Sequence, residues 1–159
     1  MHTPGSKPVF IADTCIGGLS VLKAMWRQGT AGHAVFMADY VVNPLGVQSD
    51  AEIATVVERW LGFAREYSET LVIACNTLSI RYQQLFGLIV APEGMEQVVT
   101  MLDCLKAMIE AEAERLAGNK VLIIGTAFTA SQALYPDTLL TALPGTPVAT
   151  VAATELERS

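Results

Sequence analysis

Long hydrophobic runs are missing from this sequence. Its apolar residues come in short bursts broken by polar ones, and none approaches the stretch of about 18 that a membrane-spanning helix needs. A secretory leader is missing too: MHTPGSK runs straight into a strand-like segment, without an apolar h-region or cleavage site. Together these absences predict a soluble, cytoplasmic protein with no membrane partner. Charge is scarce, at 16% of residues against 52% hydrophobic, and that balance argues against disorder. Positive charge is scarcest: 10 Lys and Arg face 16 Asp and Glu, a net charge of -6, which argues against a nucleic-acid partner. An anionic small molecule stays open, because backbone N–H groups and hydroxyls can bind a carboxylate. Only three cysteines are present, Cys15, Cys75 and Cys104. There is no Cys-x-x-Cys, and His2 and His33 lie far from any of them in sequence. Neither a disulfide framework nor a metal site is expected.

What is there alternates. Six apolar runs read as strands: VFIA (9–12), VFMA (35–38), TLVIA (70–74), LIVA (88–91), KVLII (120–124) and PVATVA (147–152). They are continuous, as in strands covered on both faces. Between them, Ile53, Val56, Val57, Trp60, Leu61 and Ala64 recur at helical spacing behind a Ser49/Glu52 capping box. Met95, Val98, Val99, Leu102, Leu105, Ile109 and Leu116 predict one face of a second long helix, stopped by Gly118-Asn119. Shorter helices fit after Gly17-Gly18, Asn76 and Thr129. The fold class is therefore α/β, a mainly parallel sheet flanked by helices. The segment around Ala91-Pro92-Glu93-Gly94 marks a passage between lobes. At the end, Thr154 reads as the N-cap of a helix whose single turn precedes Ser159, so the chain is expected to be cut off.

In an open α/β sheet, ligands bind beyond the carboxyl ends of the strands. Four such places are small and polar: Asp13-Thr14-Cys15-Ile16-Gly17-Gly18, Asp39 with Asn43-Pro44-Leu45-Gly46, Cys75-Asn76-Thr77, and Gly125 to Ser131. Cys75 ends a strand and begins a helix, a position that favours the thiolate and predicts a lowered pKa. The competing reading makes it a small buried hydrophobe.

The motifs themselves form a pattern. FIADTCIGGLSVL resembles the opening of the glutamate racemase family, where an Asp-Ser pair and a double glycine follow the first strand. ADYVVNPLG is similar to that family's Pro-Tyr-Gly segment, VIACNTLS to its Ala-Cys-Asn-Thr signature, and IIGTAFTASQALY to its Gly-Thr-x-x-Thr-x-x-Ser…Tyr segment. In order and nearly chain-long, they resemble the N-terminal portion of the aspartate/glutamate racemase superfamily. The resemblance implies a first racemase-like lobe over 1–92, incomplete without a returning segment, and the start of a second, incomplete lobe over 93–159. It implies cofactor-independent racemisation of glutamate or aspartate, in which one cysteine thiolate removes the α-proton and a second thiol returns one to the opposite face. Carried over, Cys75 is the first catalytic cysteine and Asp13 the acidic residue beside it. Thr14, Gly46, Asn76, Thr77, Thr126 and Thr129 are substrate-contacting positions. A small amino acid or dicarboxylate is the implied partner, a homodimer the implied assembly, and no cofactor or metal is implied.

Departures accompany the match. Leu45 stands where the family has tyrosine, Thr14 where it has serine, and Cys15 where it has glycine. The family's second cysteine, in a Gly-Cys-Thr-His-like motif, belongs beyond residue 159, so the activity is expected to be incomplete. Cys15 is either a substitute thiol or a tolerated small loop residue, the latter being favoured. Cys104 reads as packing or surface; Asp39 either lines the cleft or caps and turns the chain, the latter being favoured; Tyr135 either reaches the substrate or packs under the cleft, the latter being favoured; and Trp26 and Trp60 read as core. Glu110, Glu112, Glu114 and Arg115 read as a solvated helix face. Two other functions compete: a one-cysteine isomerase or decarboxylase of small dicarboxylic acids, and a non-catalytic carboxylate-binding remnant. A truncated product that aggregates through exposed apolar surface is a further outcome.

Overall fold

The apolar runs become strands because each is buried from two sides. The computed structural model describes residues 8–30, 32–87 and 93–153. In it, β1 (Val9–Asp13), β2 (Ala34–Ala38), β3 (Thr70–Ile73) and β4 (Gln97–Thr100) form a parallel sheet in the order β2-β1-β3-β4. Ile11 sits at the centre, paired with Phe36 on one side and Val72 on the other. Three helices belong to this sheet: α1 (Leu19–Arg27), α2 (Asp50–Tyr67) and α3 (Asn76–Phe86). Phe10, Ala12, Leu71 and Ile73 pack with Ile53, Val57, Trp60 and Leu61 of α2 and Leu78 of α3. The alternate residues Ile11, Val72 and Ala74 pack with Leu22 of α1 and its half-buried neighbours Val21 and Met25. With period-two side chains and a core on each face, neither set can be polar.

The start of α2 is fixed as its sequence requires. The Ser49 side chain accepts from the Glu52 N–H, and Glu52 Oε2 accepts from the Ser49 N–H at 2.8 Å. The chain divides into two compact units, Met1–Met101 and Leu102–Ser159. After α4 (Met101–Ala111) and α5 (Ala113–Leu116), the second unit contains β5 (Val121–Gly125), α6 (Ala127–Ser131), α7 (Leu134–Ala142) and β6 (Val148–Ala152). β5 and β6 pair in parallel, with Ile124 opposite Val151. Among the described residues Leu102, Ile109, Tyr135 and Leu139 are its buried apolar side chains, while Leu122, Ile124 and Val151 are exposed on one face of the strand pair. That face departs from the expectation of strands covered on both sides.

Several expectations are corrected. The long helix over Met95 to Leu116 is instead a strand followed by two helices. Val98, Val99 and Thr100 are β-branched, and β4 completes the sheet by pairing with β3, Leu71 opposite Val98 and Ile73 opposite Thr100. Because β4 belongs to the first sheet, the units divide after Met101 and not after residue 92. Gly118, at φ +74°, does end the last helical turn as expected. Trp26 is 57% exposed and not core, whereas Trp60 is fully buried. The expected strand LIVA (88–91) and the Thr154 helix start lie outside the described residues. Among the described residues no helix is long and apolar enough to cross a membrane.

Gly18 closes the turn after β1. A Cβ there would lie 2.9 Å from the Phe36 ring, 3.0 Å from Asp13 Cβ and 3.1 Å from Ala74 Cβ. Gly18→Ala is therefore expected to lower stability by about 1–3 kcal/mol through overpacking. Urea unfolding would show it as a lower midpoint at unchanged slope; an unchanged midpoint would mean that the turn yields freely.

Candidate active site

The carboxyl ends of β1 and β3 bring two distant segments together. Ala12 pairs with Ile73. Two residues further on, Thr14 and Cys75 stand level, with Thr14 Oγ1 3.7 Å from Cys75 Sγ. The parallel register thus joins residues 61 positions apart in the chain.

Cys75 is the N-cap of α3. Its sulfur accepts from the Leu78 N–H at 3.5 Å, and the Thr77 N–H also favours the thiolate. Helix start and donors match the expectation, but the pKa does not. Burial pushes the thiol up to about 11, with the nearby Asp13 charge adding to the rise, and the donors from Leu78, Thr14 and Thr77 only partly offset it. The expected lowering counted the helix terminus and missed the desolvation. The resting group is a protonated thiol. Its alkylation by iodoacetamide, followed by mass spectrometry of the Cys75 peptide, is expected to climb about tenfold per pH unit past the ordinary thiol range near 8.5. A plateau at or below that range would contradict the burial. The same shift links to stability. The folded chain favours the neutral thiol, so this contribution is full below the unfolded value and is lost as pH rises through about 11.

Asp13 is the last residue of β1 and is buried. Its Oδ1 accepts from the Thr14 N–H at 2.6 Å, and its Oδ2 from the Cys15 thiol at 3.7 Å. Burial raises its pKa, against the lowering effect of N–H groups from Thr14, Gly18 and Cys15 and of the Cys15 thiol. Cys15 itself is exposed, N-caps a 3-10 turn (Ile16–Gly18), and accepts from the Gly17 N–H at 3.3 Å.

The other candidates divide. Asn76 and Thr77 open α3 directly after Cys75. Gly46 lies in a 3-10 turn (Leu45–Val47) that packs against α3, and Leu45 is buried there among Leu78 and Ile53. The position where the resembled family has tyrosine is thus a core position in this chain. Thr126 and Thr129 lie in the second unit, where Thr126 N-caps α6. Thr126 Oγ1 accepts from the Thr129 N–H at 3.2 Å and donates to Thr129 Oγ1 at 3.1 Å. Both hydroxyls are occupied in capping. Asp39 accepts from Trp60 Nε1 at 2.9 Å and pairs with Arg59, so it ties the end of β2 to α2. Tyr135 is buried and Cys104 exposed. Glu110 and Glu114 are exposed, and Glu112 is paired with Arg115. Asn43 was not singled out from the sequence, yet its Nδ2 donates to the Thr14 carbonyl at 2.9 Å and fixes the Asp13–Thr14 corner. Its place just past β2, in a segment already marked as ligand-facing, was the available signal. Among the described residues no three His, Cys, Asp or Glu side chains gather as a metal site would need.

No family model matches the chain. It is similar to the glutamate racemase of Levilactobacillus brevis, 27% identical over 153 residues, which is 94% of this chain and 52% of that protein. Among solved structures it resembles the glutamate racemase of Campylobacter jejuni, with a TM-score of 0.71 and 25% identity over 91% of this chain and 56% of that one. An aspartate racemase homologue from Pyrococcus horikoshii shares the fold alone, with a TM-score of 0.57 at 16% identity over 96% of this chain and 69% of that one. The chain spans about half the length of the curated relatives it matches.

Proposed function

We propose that this chain, related in sequence and fold to the aspartate/glutamate racemase superfamily, removes the α-proton of a small amino acid, glutamate or aspartate, with Cys75 as the base. The observation that carries this is the join at the strand ends: Cys75 Sγ at the start of α3, 3.7 Å from Thr14 Oγ1 and within the field of the buried Asp13.

The geometry suggests how a thiol with so high a pKa becomes a base. Asp13 raises it by like charge. A substrate ammonium beside Asp13 cancels that charge and places a positive one near the sulfur, and both changes favour the thiolate. The Thr14 hydroxyl and the Leu78 and Thr77 N–H groups then hold it. Positive charge at the start of α3 acts in the same direction. Substrate binding and base activation become one event, with no cofactor required. The α-proton is weakly acidic, so its removal also needs donors on the substrate carboxylate as that group gains enolate character. Asn76 and Thr77 are the nearest candidates in sequence.

One observation favours a second reading. A resting thiol, as opposed to a thiolate, is a ready proton donor, which suits a one-cysteine isomerase or decarboxylase of small dicarboxylic acids. The test is NMR in deuterated water with D- and L-glutamate and D- and L-aspartate, beside a panel of small dicarboxylic acids. Loss of the α-proton signal of an amino acid supports the base. Turnover of a dicarboxylic acid without amino-acid exchange supports the donor instead.

A further inference from the structure

We propose that Asn43 is a positioning residue for Cys75: by holding the Thr14 carbonyl it aims the Thr14 hydroxyl at the Cys75 sulfur, and so sets how readily that thiol gives up its proton. The proposal rests on the reading of Cys75 as the working thiol, and it names a residue that serves the thiol without touching it. Three strand ends take part: Asn43 follows β2, Thr14 follows β1 and Cys75 follows β3. Asn43 Nδ2 donates to the Thr14 carbonyl at 2.9 Å, across 29 positions of the chain. Thr14 Oγ1 stands 3.7 Å from Cys75 Sγ, across 61.

Thr14 needs such a tether because it lies one residue past the sheet ladder. The last pairs of that ladder are Asp13 with Ala38 and Ala12 with Ile73. The Asp39 N–H reaches the Asp13 carbonyl at 2.8 Å and the Ala74 N–H reaches the Ala12 carbonyl at 2.8 Å. Thr14 is held by side chains instead: its N–H donates to Asp13 Oδ1 at 2.6 Å, and its carbonyl accepts from Asn43. A residue has two soft backbone dihedrals. One bond on the amide before Thr14 and another on the amide after it fix both, and with them the direction of Cβ. Threonine is β-branched, so its χ1 is stiff as well. Without the Asn43 bond the second dihedral is released and the hydroxyl turns away from the sulfur.

Asn43 is itself held in place. The residue is exposed, but Val42 before it and Leu45 two residues after it are buried in the core with Ile53 of α2 and Leu78 of α3. Its N–H also donates to the Tyr40 carbonyl at 3.4 Å. The same core therefore seats both the amide of Asn43 and the helix that Cys75 caps. A side-chain amide suits the task, because it donates to a carbonyl and brings no charge to the site. The Thr14 hydroxyl is one of the donors that offset burial at Cys75, so losing its aim leaves the thiolate with less support. Asp13 is the charged group acting on that sulfur.

The experiment follows iodoacetamide alkylation of Cys75 against pH, by mass spectrometry of its peptide, in the full chain and in Asn43→Leu, Thr14→Val and the double variant. Leucine keeps the shape of asparagine and lacks the donor; Asp13 is present in every variant. Alkylation at a fixed pH near 9 is expected to fall about 2- to 10-fold in Asn43→Leu, the range of one hydrogen bond. Thr14→Val should fall as far, and the double variant no further than Thr14→Val alone, because the two residues act in series. A merely structural loosening would give the opposite sign, since water admitted to the sulfur speeds alkylation. Unchanged or faster alkylation in Asn43→Leu, in a chain that still unfolds cooperatively in urea, overturns the proposal. A loss in the double variant equal to the product of the single losses also overturns it, because Asn43 would then act by another route. Exchange of the α-proton of glutamate and aspartate, followed by NMR on the unaltered chain, tests the base reading separately. Its absence removes that reading and leaves the alkylation series to decide for Asn43.

Discussion

Cys75→Ser is expected to slow α-proton exchange by about 100- to 10,000-fold, the range that a positioned acid or base contributes. The hydroxyl keeps the size and place of the thiol but ionises far less readily, so the same donors from Thr14 and Leu78 find no anion to hold. Loss of structure would not explain the result. Cys75 is the N-cap of α3, and serine is among the preferred N-cap residues, accepting the same N–H bonds as an oxygen. The variant should unfold in urea at or above the original midpoint while losing exchange. Exchange retained within about threefold would remove Cys75 from the role of base and leave Asp13, the other ionisable group of the pair, to be tested next.

How far the sequence showed this depends on the scale of the question. The runs around Ile11 and Val72 were legible because a strand buried on both faces has few other compositions open to it. The Ser49/Glu52 box was legible because its bonds span only three residues. Val98 to Thr100 was misread because a short apolar run fits either period, and pairing with β3, some 27 residues earlier, decided it. Trp26 was misread for a related reason. It lies one turn from the buried Leu22, and only packing settles which strip of a nine-residue helix meets the sheet. At the site, the types and order of Asp13, Thr14 and Cys75 were visible, but their meeting depends on the β1–β3 register. The direction of the Cys75 shift was hidden for the same cause. The helix start is written in sequence; the burial that outweighs it is a property of the packed core.

Trp60→Ala is expected to cost about 3–5 kcal/mol, the range for removing a large aromatic from a core. Trp60 has no exposed surface and packs between α2 and the Phe10 face of the sheet. It also donates Nε1–H to Asp39 Oδ2 at 2.9 Å, beside the Arg59 pair. Truncation therefore opens a cavity and strips one of the donors that Asp39 relies on. Trp60→Phe separates these effects. It keeps most of the volume and loses the hydrogen bond, and about 1–3 kcal/mol is expected for an acceptor left short of a partner. The consequence reaches the site, because the Asp39 N–H donates to the Asp13 carbonyl at 2.8 Å, so the end of β2 that Trp60 anchors helps to hold the end of β1. Trp60→Phe should then weaken exchange at Cys75 although Trp60 touches no reacting group. The stability measurement is urea unfolding followed by far-ultraviolet circular dichroism, because the substitutions remove the buried tryptophan and leave only the exposed Trp26. A Trp60→Ala midpoint equal to the original would mean that this core does not carry the stability its burial implies.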